Sequence, residues 1–244
     1  MKPNPKTNGI TKNQPLNFQK INKYLLLLFC VLLVNLHPSM AQEKCFSKGN
    51  FAINAGLGFS LYRYTAVLKS DQSRETNLAL SRIGRLSIEH AFTNNLSIGV
   101  LGKRNIYITE VDSATGKKPD IFSYDLLLFA NLHFVRSKRV NLLWGAGYGY
   151  SSFTYNTQDQ QISQAKGTGG SFETWLQSRI YFGKHLGFNL NLSYVRNSYN
   201  SLDFQNRTTS FPDALSLKGG GIHFGAGIVF KFFASKYNHS NTQE

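Results

Sequence analysis

Cysteine is almost missing from this chain: Cys30 and Cys45 are its two copies, so no disulfide framework is available to staple a fold. No Cys/His group has metal-site spacing, and no metal or other cofactor is expected. Acids are scarce as well, 13 against 27 lysines and arginines, which gives a formal net charge of +14. Long apolar runs are also wanting. Residues 24–36 (YLLLLFCVLLVNL) are too short to cross a bilayer as a typical helix. Beyond them no helical period appears anywhere. Residues 158–170 (QDQQISQAKGTGG) contain glycine but follow neither a Walker nor a dinucleotide-binding pattern, which excludes phosphate-loop chemistry.

The N-terminus has a shape of its own. Lys2, Lys6, Lys12, Lys20 and Lys23 precede the apolar run without an acid among them, and Ser39-Met40-Ala41 places small residues at a cleavage site. Residues 1–41 therefore read as a secretory signal peptide. Its removal takes five lysines and Cys30, so +14 becomes +9 and Cys45 is left without a partner. Gln42-Glu43-Lys44 do not form a lipobox, so lipidation at Cys45 is not expected. In an exported chain the positive charge points to anionic lipid or lipopolysaccharide phosphate, with no nucleic acid expected.

What the sequence does contain is period-two alternation. In residues 172–182, Phe172, Thr174, Leu176, Ser178, Ile180 and Phe182 share one face, and Glu173, Trp175, Gln177, Arg179 and Tyr181 the other. After Gly183-Lys184-His185 the alternation restarts through residues 186–200. That is a β-hairpin. The same pattern predicts strands near 51–64, 78–92, 96–109, 122–136, 140–156 and 220–232. The links at 93–95, 137–139 and 183–185 are three residues each, whereas those at 65–77, 110–121, 157–171 and 201–219 are longer.

Eight strands with one apolar face, aromatic borders and alternating link lengths predict an all-β fold. The expected architecture is an eight-stranded antiparallel up-and-down transmembrane β-barrel with short periplasmic turns and four longer extracellular loops. A soluble lipocalin-like barrel would reverse the faces. It would then expose a Gly/Asn/Ser surface poor in charge and bury aromatics at the ends of its core stripe, where a membrane interface has more use for them. Residues 42–50 read as a linker, 51–232 as the barrel and 233–244 as a polar tail.

The signal peptide, the eight strands and the closing Gly225-Ala226-Gly227-Ile228-Val229-Phe230-Lys231-Phe232 resemble bacterial outer-membrane barrels of the OmpA/OmpX-like type. The finer flavour is similar to the Bacteroidetes PorT-like barrels. The resemblance covers residues 51–232 and implies an integral place in the Gram-negative outer membrane. It also allows an accessory role in an envelope secretion or assembly machine. One departure is the tail at 234–244, since such barrels often end at the terminal aromatic.

Two sets of residues stand out. The inward set comprises Arg85, Glu89, Lys103, Asp125, His133, Glu173, Gln177, Arg179, His223 and Lys231, and an eight-stranded barrel is just wide enough for such side chains to fill it. Glu89, His133 and Arg179 each lie four residues above a short turn, so Glu89 and Arg179 are expected to pair with His133 nearby. The second set, Arg63, Arg82 and Arg104, falls on the lipid-facing side of three neighbouring strands near the upper edge of an apolar band ~25 Å tall. It is expected as a basic rim touching lipopolysaccharide. A protein partner would meet the turns, at Lys138, Arg139 or Lys184, or the loops. No catalytic residue is assigned and no enzyme is expected: His90 and Ser178 face outward toward the trimmed end, and His239-Ser240-Asn241 is only an adjacent triplet. A narrow channel and a lipid A-modifying enzyme are the remote alternatives.

Overall fold

The computed structural model describes residues 45–68, 74–110, 116, 118–156, 162–206 and 215–232. The expected signal peptide and polar tail lie outside the described residues, as do large parts of the expected loops. The described residues form eight strands and no helix: β1 (Phe51–Leu68), β2 (Arg74–Ala91), β3 (Leu96–Ile108), β4 (Asp120–Arg136), β5 (Val140–Asn156), β6 (Ile162–Tyr181), β7 (Leu186–Asn206) and β8 (Leu215–Phe232). Each pairs antiparallel with its sequence neighbours, and β8 pairs with β1 to close the barrel. That closing ladder runs from Phe51↔Phe232 to Leu68↔Leu215. Closure leaves no unpaired strand edge, the condition for a sheet surrounded by lipid.

The faces follow the alternation. Leu57 is 75% exposed and Leu128 71%, whereas Lys103 is 3%, Glu89 1% and Arg179 1%. Apolar side chains thus point away from the barrel and charged ones into it, the inverse of a water-soluble domain. Phe59, Tyr124, Tyr150, Phe172, Tyr194 and Phe224 mark an outer aromatic level, and Phe51, Phe134, Phe182 and Phe232 an inner one, all exposed. The two levels are eight to ten positions apart along β1, β4, β6 and β8. At 3.3 Å per residue and a tilt near 40°, that is roughly 20–25 Å, the height of a hydrocarbon band.

The strand ends differ from expectation at the outer end. β6 starts ten residues before the expected 172, β7 continues to Asn206, and β2 and β8 begin at Arg74 and Leu215. Beyond the aromatic level the outer face leaves the apolar band, so the outward positions lose their hydrophobic character while the hydrogen-bonded ladder continues. The links at 69–73 and 157–161 are consequently little longer than the turns opposite.

Residues 45–50, expected as a linker, are packed into the mouth of the barrel at the short-turn end. Cys45 N–H donates to the Ser137 carbonyl at 3.0 Å, Gly49 N–H to that of Ala91 at 2.9 Å, and Lys231 Nζ to the Cys45 carbonyl. Cys45 and Phe46 are buried with Ala52, Ala91, Tyr181 and Val229. Burial pushes the Cys45 thiol up to about 11, so it stays protonated and unreactive at neutral pH.

The closing seam is built on glycine. Gly56 faces Gly227 and Gly58 faces Gly225 across β1 and β8. A Cβ at Gly227 would stand 2.2 Å from the Ala55 carbonyl oxygen, and one at Gly58 2.4 Å from that of Phe224. The contacting atoms are backbone and cannot swing aside, so Gly58 and Gly227 leave no room for a side chain. Outward-facing Gly84 has nothing within 4 Å of such an atom.

Two expectations follow. Gly227→Val prevents most of the chain from acquiring heat-modifiable mobility on a cold gel, whereas Gly84→Val folds as the native chain does; equal folding of both would contradict the seam. In a chain starting at Gln42, Cys45 reacts with a maleimide at pH 7.5 at least about tenfold more slowly in the folded barrel than after heating in detergent, because thiolate is the reacting form.

Candidate functional site: the filled lumen and the basic rim

The inward positions of β4, read from the short-turn end, give the order of layers in the lumen: His133 and Asn131, then Phe129 and Leu127, then Asp125, then Ser123. Lowest lies a polar cluster around Glu89. Its carboxylate accepts from Arg179 Nη1, from Asn131 Nδ2 at 2.5 Å and from Ser97 Oγ at 3.3 Å. Arg179 Nη2 also donates to Gln177 Oε1 at 3.0 Å. Phe46 caps the cluster from below, its ring stacked on His133 at 4.8 Å and its face 5.8 Å from the Arg179 guanidinium carbon. The structure thus brings Glu89, Arg179 and His133 into one cluster.

Above it Leu101, Leu127, Phe129, Leu143 and Trp175 form an apolar layer. These residues interrupt the polar parity of the inward face and were not singled out from the sequence. The signal was present, since Leu127, Phe129 and Trp175 share parity with Asp125 and Glu173. Gly145 makes room for Trp175: a Cβ at Gly145 would come within 2.3 Å of the indole nitrogen, which donates to Asn131 Oδ1 at 3.1 Å.

Next comes a four-charge cluster. Lys103 Nζ reaches Glu173 Oε2 at 2.8 Å and Asp125 Oδ2 at 3.0 Å, and Arg85 Nη1 lies 3.5 Å from Glu173 Oε1 while covering the Trp175 ring at 5.6 Å. Two cations meet two carboxylates, which keeps the buried charge balanced. Ser151 and Asn105 donate to Asp125, and His223 joins through Nε2 to the Tyr62 hydroxyl at 2.7 Å. Tyr62, Tyr64, Tyr107, Phe153 and Tyr199 then form an aromatic layer at the loop end, with Tyr62 and Tyr64 rings 5.2 Å apart. Parity continued past residue 61 assigns Tyr62 and Tyr64 inward, so this layer too was within reach of the sequence.

One chain of contacts has the order of a hydrolase site: Ser97 Oγ lies 2.9 Å from His133 Nε2, and His133 Nδ1 3.1 Å from Asn141 Oδ1. All three are buried behind Phe46, which closes them off from the mouth and leaves no approach for a substrate. The cavity beside Arg85, His223 and Asn191 holds only about 10 Å³, close to the space of one water. Among the described residues no three His, Cys or acidic side chains converge as a metal site.

On the outer face Arg63, Arg82 and Arg104 are all exposed. Arg82 faces Ile106 across β2 and β3, so Arg104, two residues along, is its diagonal neighbour. Arg104 also covers Phe122 and Tyr124, at 5.6 and 5.3 Å. Arg63 is not with them: Phe59 faces Arg82, and Arg63 stands four residues further along β1. The exposed turn residues Lys138, Arg139 and Lys184 mark the opposite end.

No family model matches the chain, and no curated protein matches it in sequence. Among solved structures it is similar to the outer membrane protein OprG from Pseudomonas aeruginosa, at 15% identity over 77% of this chain and 98% of that one, with a TM-score of 0.48. It is similar to Neisserial surface protein A at 14% identity over 76% and 100%, TM-score 0.48. It is also similar to the outer membrane protease OmpT from Escherichia coli at 9% identity over 80% and 100%, TM-score 0.44. These likenesses concern the fold alone, and the finer resemblance to PorT-like barrels finds no support in them. With its apolar exterior, buried charges and closed sheet, the chain has the architecture of a transmembrane β-barrel.

The Glu89–Arg179 contact sets an expectation. Glu89→Gln and Arg179→Gln each lower stability against urea by on the order of 3 kcal/mol, because each strands a buried charge. The double variant loses less than the sum of the two by about 1 kcal/mol or more. Strict additivity in a double-mutant cycle would show that the two charges are energetically independent.

Proposed function

We propose that this chain is a sealed, non-enzymatic outer-membrane barrel with a structural and surface-contact role. Its basic rim at Arg63, Arg82 and Arg104 faces lipopolysaccharide phosphate, and its loops are available to a partner. The observation that carries this reading is the continuous filling of the lumen. The Phe46 cork, the Glu89–Arg179 cluster, the apolar layer, the four-charge cluster and the tyrosine layer follow one another along the lumen, and the cavity beside Arg85, His223 and Asn191 has room for about one water. A conducting barrel needs a polar path, and two of these layers are apolar or aromatic.

The non-enzymatic part is supported by the burial of Ser97, His133 and Asn141. An accessory role in an envelope secretion machine would use the exposed Lys138, Arg139 and Lys184; no observation favours it over the structural reading.

The test is electrical. Reconstituted in planar lipid bilayers at 1 M KCl (order of magnitude of a salt that screens surface charge), the full barrel passes no sustained single-channel current. A steady unitary conductance would overturn the sealed reading.

A further inference from the structure

The lipid-facing wall carries a groove where β7, β8 and β1 meet. Gly220 on β8 lies between Arg196 on β7 and Arg63 on β1, directly paired with both. All three positions share the outward parity, as does Lys218 two residues along β8, and Arg63, Arg196 and Lys218 are exposed. Because Gly220 has no side chain, the wall is indented here by a groove of about 440 Å³. Tyr194 borders it, its hydroxyl 3.2 Å from where a Gly220 Cβ would stand, and Leu61 and Ile222 continue it toward the membrane centre. No acid lines the groove, and none of the ion pairs among the described residues involves its cations.

Depth and spacing identify the occupant. Gly220 lies four residues beyond the girdle residue Phe224, roughly 10 Å above it along the membrane normal, in the headgroup layer. Arg63 and Arg196 stand two strand spacings apart, ~10 Å between backbones, so their side chains can close on one group from both sides. A phosphate suits two guanidiniums and an ammonium, and the apolar, aromatic lower rim suits the acyl chains that a lipid phosphate carries and a free phosphate lacks.

We propose that this groove is a binding site for the phosphate of an outer-leaflet lipid, centred on Gly220 and held by Arg63, Arg196 and Lys218. It rests on the membrane reading above and adds Arg196 and Lys218, which the sequence did not single out. The pairing of Arg63 with Arg196 also separates this site from the Arg82–Arg104 pair.

The experiment uses the full barrel in detergent, titrated with diphosphoryl lipid A and read by native mass spectrometry, with heat-modifiable mobility as the check on folding. Arg63→Gln combined with Arg196→Gln weakens binding by about tenfold or more. Gly220→Leu, which fills the groove and keeps every charge, weakens it comparably. Dephosphorylated lipid A binds poorly to the native chain, and millimolar inorganic phosphate does not displace the lipid. Lys138→Gln with Arg139→Gln, which removes the same charge at the opposite end of the barrel, lowers binding by less than about threefold. Native-like binding by folded Gly220→Leu, an equal loss from the Lys138/Arg139 pair, equal binding of the dephosphorylated lipid, or displacement by inorganic phosphate would each overturn the groove. Bilayer conductance on the same preparations tests the sealed lumen separately, so failure of one reading is distinguishable from failure of the other.

Discussion

In hydrocarbon there is no water to satisfy a backbone N–H or carbonyl, and every such group left over costs several kcal/mol. The ladder between β1 and β8 answers that constraint, and much else depends on it. It joins the two ends of the barrel sequence along eighteen residue pairs, Phe51↔Phe232 to Leu68↔Leu215. It fixes the number of strands at eight, and eight strands fix a bore that side chains can fill. The glycines of the seam are the local condition for it, since the carbonyls of Ala55 and Phe224 occupy the space where a Cβ would sit.

The bore in turn dictates how charge is handled. A lumen this narrow cannot keep bulk water around Lys103, Arg179, Glu89 or Glu173, so each must find its counter-charge in protein. The result is two separate clusters with apolar side chains between them. This gives the barrel interior a packed, layered character closer to a domain core than to a pore. Where the exterior is concerned the logic inverts: lipid tails satisfy the leucines and phenylalanines, and cations are confined to the levels where phosphate is present.

How much of this was legible in sequence follows from what each feature depends on. The faces were legible because lipid and lumen impose opposite demands on successive residues, as Leu126 and Asp125 show. The level of Glu89, His133 and Arg179 could be counted from the short turns, which act as a common baseline. Strand ends at the outer rim were not legible, because outward positions such as Thr65, Thr76 and Lys166 lie beyond the apolar band and lose the hydrophobic signal without breaking the ladder. Nor could parity alone say which outward arginines meet. Arg63, Arg82 and Arg104 look equivalent in sequence, yet the stagger between strands places Arg63 with Arg196 and Arg82 with Arg104. The apolar layer around Trp175 was missed because Leu127 and Phe129 break the rule that inward means polar.

The segment at 45–50 has a mechanical side. At Cys45 it is bonded to the turn that follows β4 through Ser137, and at Asn50 it runs directly into β1; in a ring of eight strands the β4–β5 turn and β1 lie on opposite walls. A small barrel deforms most easily by flattening into an ellipse, as one diameter lengthens while the other shortens. A short peptide fastened at both ends of one diameter is a chord across the ring, and it resists that ovalisation along its own direction. The mouth at the short-turn end is thereby held round by six residues that belong to no strand.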